Sequence, residues 1–432
     1  MKKLLFISVL FLALFTSCKK DNVSPETLMA RDSLYYVMKD WYYWYNMPEA
    51  TSVTNETKDN YSDPYKLLEA MRYKTLDRWS YILNNDEYTA QVNGTFVGHG
   101  FRIGVDNSGN ARIAMIYRNS PLYANGIRRG WIIKTINNVN PAPIIAANNN
   151  DAYTALIKES KAGITNNFVF INPKDGTEVS ISSTKKQFDI NTVLLYDTLH
   201  LSTGVAGHLV FESFFNPAPS ELATAFAFFK ANNIKDLILD LRYNSGGILD
   251  IAQTLASYIA GDSKQGVVFA KLSYNDKHQE ANYTYPFKAT ANSLALSRLT
   301  VITSRSTASA SEDVLNGLKP FVNVVTIGDT TNGKPTGMNG WNFFNKYYIF
   351  PITFKVVNKD NQGDFFDGLL PSKLLTDDIT HDFNDRQELC LKEAIYFLET
   401  ATFSAKGIQE FKRTRQFSEK PEWMNNVFIM KK

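Results

Sequence analysis

A serine flanked by alanines and a lysine downstream of it form the pair in this sequence best suited to chemistry. Ser309 stands in Thr307-Ala308-Ser309-Ala310-Ser311-Glu312, after an apolar stretch rich in β-formers and at the start of a helical one. On such a strand-to-helix turn the hydroxyl is exposed, and the N–H groups that follow point toward any oxyanion that develops. The small alanines let a substrate backbone come close. A serine hydroxyl is a weak nucleophile and needs a base. The five histidines, His99, His200, His208, His278 and His381, all lack a nucleophile-like context. Lys334, in Asn332-Gly333-Lys334-Pro335, follows Ser309 with one strand between, and a returning chain could bring its amine to the hydroxyl. Lysine serves as a base when burial lowers its pKa, because desolvation disfavours the charged form.

Each feature has a plainer reading. Ser309 alone is a helix N-cap, Lys334 alone a solvated turn lysine, and Asn244-Ser245-Gly246-Gly247 alone a strand-ending turn. It is their occurrence together, in order, that favours catalysis. His208, in an apolar strand, reads as a satisfied core histidine. Asp240 and Arg242 read as residues that hold the Gly-Gly loop.

The elements that must position these groups alternate. Strands are expected at residues 208–215, 236–241, 299–303 and 322–327, with helices at 220–232, at 248–259 and from about Ser309. Such alternation argues an α/β layer with partly parallel strands. Upstream, Ser24-Pro25 is an N-cap followed by proline at the first helical position. Leu34, Met38, Trp41 and Tyr45 continue from it at helical spacing. The aromatic run Trp41-Tyr42-Tyr43-Trp44-Tyr45 is read as packing on a larger body, with a sugar- or membrane-touching surface as the alternative. A second helix is expected at about 64–74.

From Gly94 the sequence turns β-rich. Gly98-His99-Gly100-Phe101-Arg102-Ile103, Ser120-Pro121-Leu122-Tyr123-Ala124-Asn125-Gly126-Ile127 and Arg129-Gly130-Trp131-Ile132-Ile133 resemble a PDZ domain. That resemblance implies a glycine-rich turn offering N–H groups to a peptide carboxylate, with the peptide adding as a strand. Gly98, Gly100, Phe101 and Ile103 would then bind peptide. A small β domain that merely spaces the catalytic unit is the competing reading.

The Ser309-Ala310-Ser311-Glu312 block with Gly333-Lys334 resembles the carboxyl-terminal processing peptidases, or tail-specific proteases. Asp240-Leu241-Arg242-Tyr243-Asn244-Ser245-Gly246-Gly247 is similar to their Asp-Leu-Arg-x-Asn-x-Gly-Gly signature, and Asp367-Gly368-Leu369-Leu370-Pro371 to their late Gly-x-x-Pro turn. The resemblance implies a serine endopeptidase acting on proteins with exposed C-terminal tails. Ser309 would be the nucleophile and Lys334 the base, with Glu312 orienting the lysine. Backbone N–H groups at Ala310 and at Gly246 or Gly247 would form the oxyanion hole. Met338 stands where some members carry Gln and Pro320 where others carry Asp, which leaves the orienting third residue open.

Composition bounds the rest. The 432 residues, 44% hydrophobic and 21% charged, describe a globular chain of two or three domains. A net charge of +3 from scattered basic residues argues against nucleic acid as a partner. Lys2 and Lys3, the apolar run 4–15 and Thr16-Ser17-Cys18 read as a secretory signal that resembles a bacterial lipobox. Lipidation of Cys18 would then anchor the chain in the cell envelope, and an ordinary cleaved signal is the alternative. With Cys390 the only other cysteine, no intrachain disulfide would remain. No metal or phosphate motif occurs, so no cofactor is expected.

The expected fold is multidomain α/β. It comprises a signal peptide (1–18), a helical N-terminal domain (19–91), a PDZ-like β domain (92–185), a peptidase core (186–400) that the resemblance makes crotonase-like, and a tail (401–432). Two other functions compete with the peptidase: a non-catalytic peptide- or glycan-binding lipoprotein on the same fold, and a scaffold recruiting partners through its PDZ domain.

Overall fold

The structure, a computed structural model, describes residues 23–405 and 411–418. Cys18 and the expected signal peptide lie outside the described residues.

A six-stranded sheet carries the core. Its spatial order is Lys373–Leu374, Asn323–Gly328, Arg298–Thr303, Asp236–Asp240, Gly204–Phe211 and Val193–Leu201. All neighbours are parallel except the last pair. Alternation along Asp236–Asp240 decides the layering, because successive side chains leave opposite faces of a strand. Leu237 and Leu239 join one apolar cluster with the helices Ala218–Ala231, Leu249–Ala260 and Ala310–Leu318. Ile238, Ile302 and Ile327 face the other side, where Leu391, Ala394 and Leu398 of the helix Leu389–Thr400 cover them. The result is a three-layer α/β/α core. His208 corrects the sequence reading: it is fully buried in this sheet, but neither ring nitrogen has a partner. Burial pushes its pKa down to about 3, so it stays neutral.

The N-terminal segment is stitched into this core. Ser24 caps the helix Pro25–Asp40, accepting from the Thr27 N–H, with proline at the first position. That helix ends before Trp41, so the expected helical face does not extend to Tyr45. The aromatic run instead turns into the protein, burying Tyr42 and Trp44 beside Trp79 and Ile352. The strand Tyr81–Leu83 pairs antiparallel with Tyr347–Phe350, which comes from the far end of the core.

Between them lies the β domain. Its sheet runs Phe101–Val105, Ala111–Ile116, Ile132–Ile136, Thr165–Ile171 and Glu178–Thr184, with the helix Asn150–Ile157 against it. The side chains of Phe101 and Ile103, expected to bind peptide, are buried in this domain's own core. Nor is the edge beside them open. Gln416–Ser418 pairs antiparallel with it, matching Phe417 to Ile103. Residues 416–418 are therefore a strand of this sheet, where an appended tail was expected.

Candidate active site

Ser309 occupies the N-cap of the helix Ala310–Leu318 with φ 55° and ψ −120°. A non-glycine residue is held in this left-handed region only when its surroundings over-determine it, at a cost of about 1–3 kcal/mol. The surroundings are named bonds. Ala308 N–H and the Ser311 hydroxyl both donate to the Asn244 carbonyl, at 3.1 and 3.0 Å, and the Thr307 hydroxyl donates to the Leu241 carbonyl at 2.8 Å. The Asp240–Gly247 signature thus forms the bed on which the serine turn lies. Ser309 Oγ, expected from the sequence to be exposed, is instead buried under the packed turn and has no hydrogen-bond partner.

Gly246 permits that contact. A Cβ there would lie 2.9 Å from both the Ala308 carbonyl oxygen and Ser309 Cβ, and its φ is 101°. Its N–H, one of the expected oxyanion donors, already donates to Asn244 Oδ1 at 2.9 Å. Gly247 differs. Phe214 N–H donates to the Gly246 carbonyl and Ile248 N–H to the Phe214 carbonyl, a parallel bridge that does not use the Gly247 N–H. Ala310 is the first residue of its helix, where no carbonyl four residues back within the helix can take its N–H.

Glu312 joins the two halves of the site. Its Oε2 accepts from the N–H groups of both Ser309 (2.9 Å) and Lys334 (2.8 Å). Its Oε1 accepts from Gly333 N–H (2.7 Å) and the Thr331 hydroxyl (2.5 Å). The carboxylate therefore fixes the lysine-bearing loop against the serine turn through its backbone, where the sequence suggested orientation of the lysine side chain. Gly333 is required in that loop: with φ 94°, a Cβ would sit 2.2 Å from the Phe366 carbonyl oxygen. The late turn buttresses it from behind, Leu369 N–H donating to Thr331 Oγ1 at 2.7 Å.

Lys334 is fully buried. Burial brings its pKa from 10.5 down to about 7, against the opposing pull of Asp77, Glu312 and Asp313. Asp77 and Trp79, which follow the second helix, carry no sequence signal that ties them to this site. The Trp79 ring centre lies 5.9 Å from Lys334 Nζ. Asp77 accepts from Trp79 N–H, Ser80 N–H and the Tyr42 hydroxyl. The Asp-x-Trp-Ser spacing is that of an Asx turn, a signal for local structure that says nothing of a lysine hundreds of residues away. Asp313 is also buried, and burial pushes its carboxyl well above the usual range. Met338 is core, packed with Ile349 and Ile352, and Pro320 lies past the far end of the serine helix.

Asp240 and Arg242 hold the loop as expected. Arg242 Nε bonds Asp240, and its Nη1 reaches Glu388 at 2.7 Å and Asp377 at 2.8 Å. Asp377 also takes Arg129 of the β domain at 2.9 Å.

A strained serine and a buried low-pKa lysine thus follow the carboxyl ends of two neighbouring parallel strands, Arg298–Thr303 and Asn323–Gly328, and share the Glu312 carboxylate. The comparisons assign the lineage. Residues 206–371 match peptidase family S41, and residues 30–81 match the peptidase S41 N-terminal domain. The chain belongs to peptidase family S41. It is 22% identical over 251 residues to the carboxy-terminal processing protease CtpB of Bacillus subtilis, covering 58% of this chain and 49% of that one. To CtpA of the same organism it is 26% identical over 246 residues, covering 57% and 48%. The chain thus spans about half the length of these curated relatives. Among solved structures, a Bacteroides fragilis protein assigned to the S41 proteases superposes with a TM-score of 0.69 at 22% identity, covering 86% of this chain and 97% of that one. A photosystem II D1 C-terminal processing protease gives 0.51 at 18%, covering 82% and 94%. At these identities the likeness speaks for the fold.

Proposed function

We propose that the chain is a serine endopeptidase of the cell envelope, using Ser309 and Lys334 to cleave polypeptides presented by their C-terminal tails. The observation that carries this reading is Lys334: a lysine fully buried, with a pKa near 7, on a loop that Glu312 ties to the Ser309 backbone. A lysine neutral at working pH can take a proton, whereas a solvated one cannot.

In this reading the steps are those of a serine–lysine dyad. Neutral Lys334 Nζ takes the Ser309 Oγ proton as Oγ attacks the scissile carbonyl carbon. The resulting oxyanion is received by the N–H groups of Ala310 and Gly247, each such donor being worth about 3 kcal/mol. The Lys334 ammonium then protonates the leaving amine as the C–N bond breaks, leaving an ester on Ser309. Water attacks that ester, giving its proton to Lys334. The carboxylic acid departs as the proton returns to Oγ.

The β domain supplies the tail-recognition part of the reading, as a PDZ-like module that takes a peptide as an added strand. Export and anchoring through a lipidated Cys18 complete it. The test is cleavage of an unfolded model protein, with and without an apolar C-terminal tail, by the form lacking residues 1–18. Wild type should cleave, and Ser309→Ala and Lys334→Ala should not. Unchanged cleavage in either variant overturns that residue's role.

A further inference from the structure

The β-domain edge that a peptide would join is already filled by this chain. Phe417 lies opposite Ile103 and Ser418 opposite Arg102, and Val105 N–H donates to the Arg415 carbonyl at 3.2 Å. The strand runs antiparallel, with its C-terminal end directed toward the Gly98-His99-Gly100 turn. Side chains alternate as a strand requires. Arg415 and Phe417 face the β domain: Arg415 donates to the Ala146 carbonyl, and the Phe417 ring stacks on Tyr153 at 5.0 Å. Thr414 and Gln416 face the core, donating to the Asp377 carbonyl and to Asp377 Oδ2 at 3.0 and 2.7 Å. Further back, Arg413 pairs with Asp329, and Lys412 N–H donates to Thr376 Oγ1.

We propose that residues 411–418 are a tethered pseudo-ligand of the β domain, so that a substrate peptide must displace them before it can add to the Phe101–Val105 edge. The occupant defines the peptide class: an extended segment with an aromatic residue at the Phe417 place and a basic one two positions earlier. Displacement also has a route to the chemistry. Asp377, which Gln416 holds, bonds Arg242 and the Tyr243 hydroxyl in the loop under Gly246. A peptide lacking the Gln416 amide would free that carboxylate to reorganise with Arg129 and Arg242. The proposal rests on the peptide-receiving reading of the β domain and goes beyond it in naming the resident competitor.

The experiment is a binding measurement on the form lacking residues 1–18, using a fluorescein-labelled peptide of sequence Phe-Lys-Arg-Thr-Arg-Gln-Phe-Ser. A tethered strand acts at an effective concentration of order millimolar, so a peptide of about 100 μM intrinsic affinity is weakened about tenfold by it. Phe417→Asp should therefore bind the peptide about tenfold more tightly than wild type, and a peptide with Asp at the second Phe should bind neither. Arg413→Glu, which breaks the Asp329 pair outside the strand, should shift affinity in the same direction. It carries the test if Phe417→Asp does not fold. Equal affinities in wild type and variants would overturn the resident competitor and leave peptide reception standing. No binding to any form would overturn both. Anisotropy needs no turnover, so failure of the Ser309–Lys334 assignment would leave this result intact.

Discussion

Replacing Lys334 by methionine tests the charge state on which the chemistry depends. Unfolded, this lysine holds its proton up to about 10.5, whereas burial in the fold lowers the value to about 7. Below pH 7 the folded protein must carry a buried ammonium. At about 1.36 kcal/mol per pH unit, the fall from 10.5 to about 7 sets that cost at about 5 kcal/mol. Between the two values the unfolded chain binds a proton that the folded one does not, so stability rises with pH across that window. By pH 9 the cost has dropped to roughly 2 kcal/mol. Methionine is similar in length and uncharged, so Lys334→Met removes the penalty along with the base. The variant should be inactive, more stable than wild type by several kcal/mol at pH 6, and less markedly so at pH 9. Denaturant unfolding at both pH values, followed by tryptophan fluorescence, measures the gap. A variant no more stable than wild type at pH 6, or a gap that ignores pH, would refute the reasoning that burial holds Lys334 neutral.

The same lowered pKa predicts that kcat/KM for peptide cleavage rises with pH to a plateau, with a midpoint near 7; a flat profile between pH 6 and 8 would remove Lys334 as the titrating base. Gly246→Ala should lower cleavage about 100-fold, since its Cβ would push against the Ala308 carbonyl and Ser309 Cβ and displace the nucleophile. Circular dichroism should show the fold retained. Gly333→Ala, whose Cβ would meet the Phe366 carbonyl oxygen, should cost about 1–3 kcal/mol of stability and abolish cleavage by moving the lysine loop.

Much of the core was legible because its signals are local. The short apolar run within Asp236–Asp240 and the proline-led cap at Ser24 act over a few residues, and the elements formed near their expected bounds. Where the sequence misled, a distant partner had intervened. Helical spacing continued through Tyr45, but the chain breaks at Trp41 because the aromatic side chains gain more by turning into the pocket around Trp79 and Ile352. The Gly246 N–H is the exception, since its partner, the Asn244 side chain, lies only two residues back in an Asx-type contact. The 401–432 stretch looked like an appendage because three residues of strand, Gln416–Ser418, carry too little pattern to announce a sheet partner some three hundred residues upstream.

The sequence by itself determined the chemical inventory: a serine on a strand-to-helix turn, a lysine beside a glycine, and a glycine pair ending a buried strand. Each depends on residue types and short spacing alone. The tertiary structure decided what those groups became. Only the closed core removes Lys334 from water and so sets its proton affinity, because desolvation is a property of everything packed around the amine. Only folding brings Asp77 and Trp79 from the N-terminal segment to that amine, and only folding places Phe417 on the β-domain edge. Such contacts join residues with no shared local pattern, so their geometry exists only once the chain has closed.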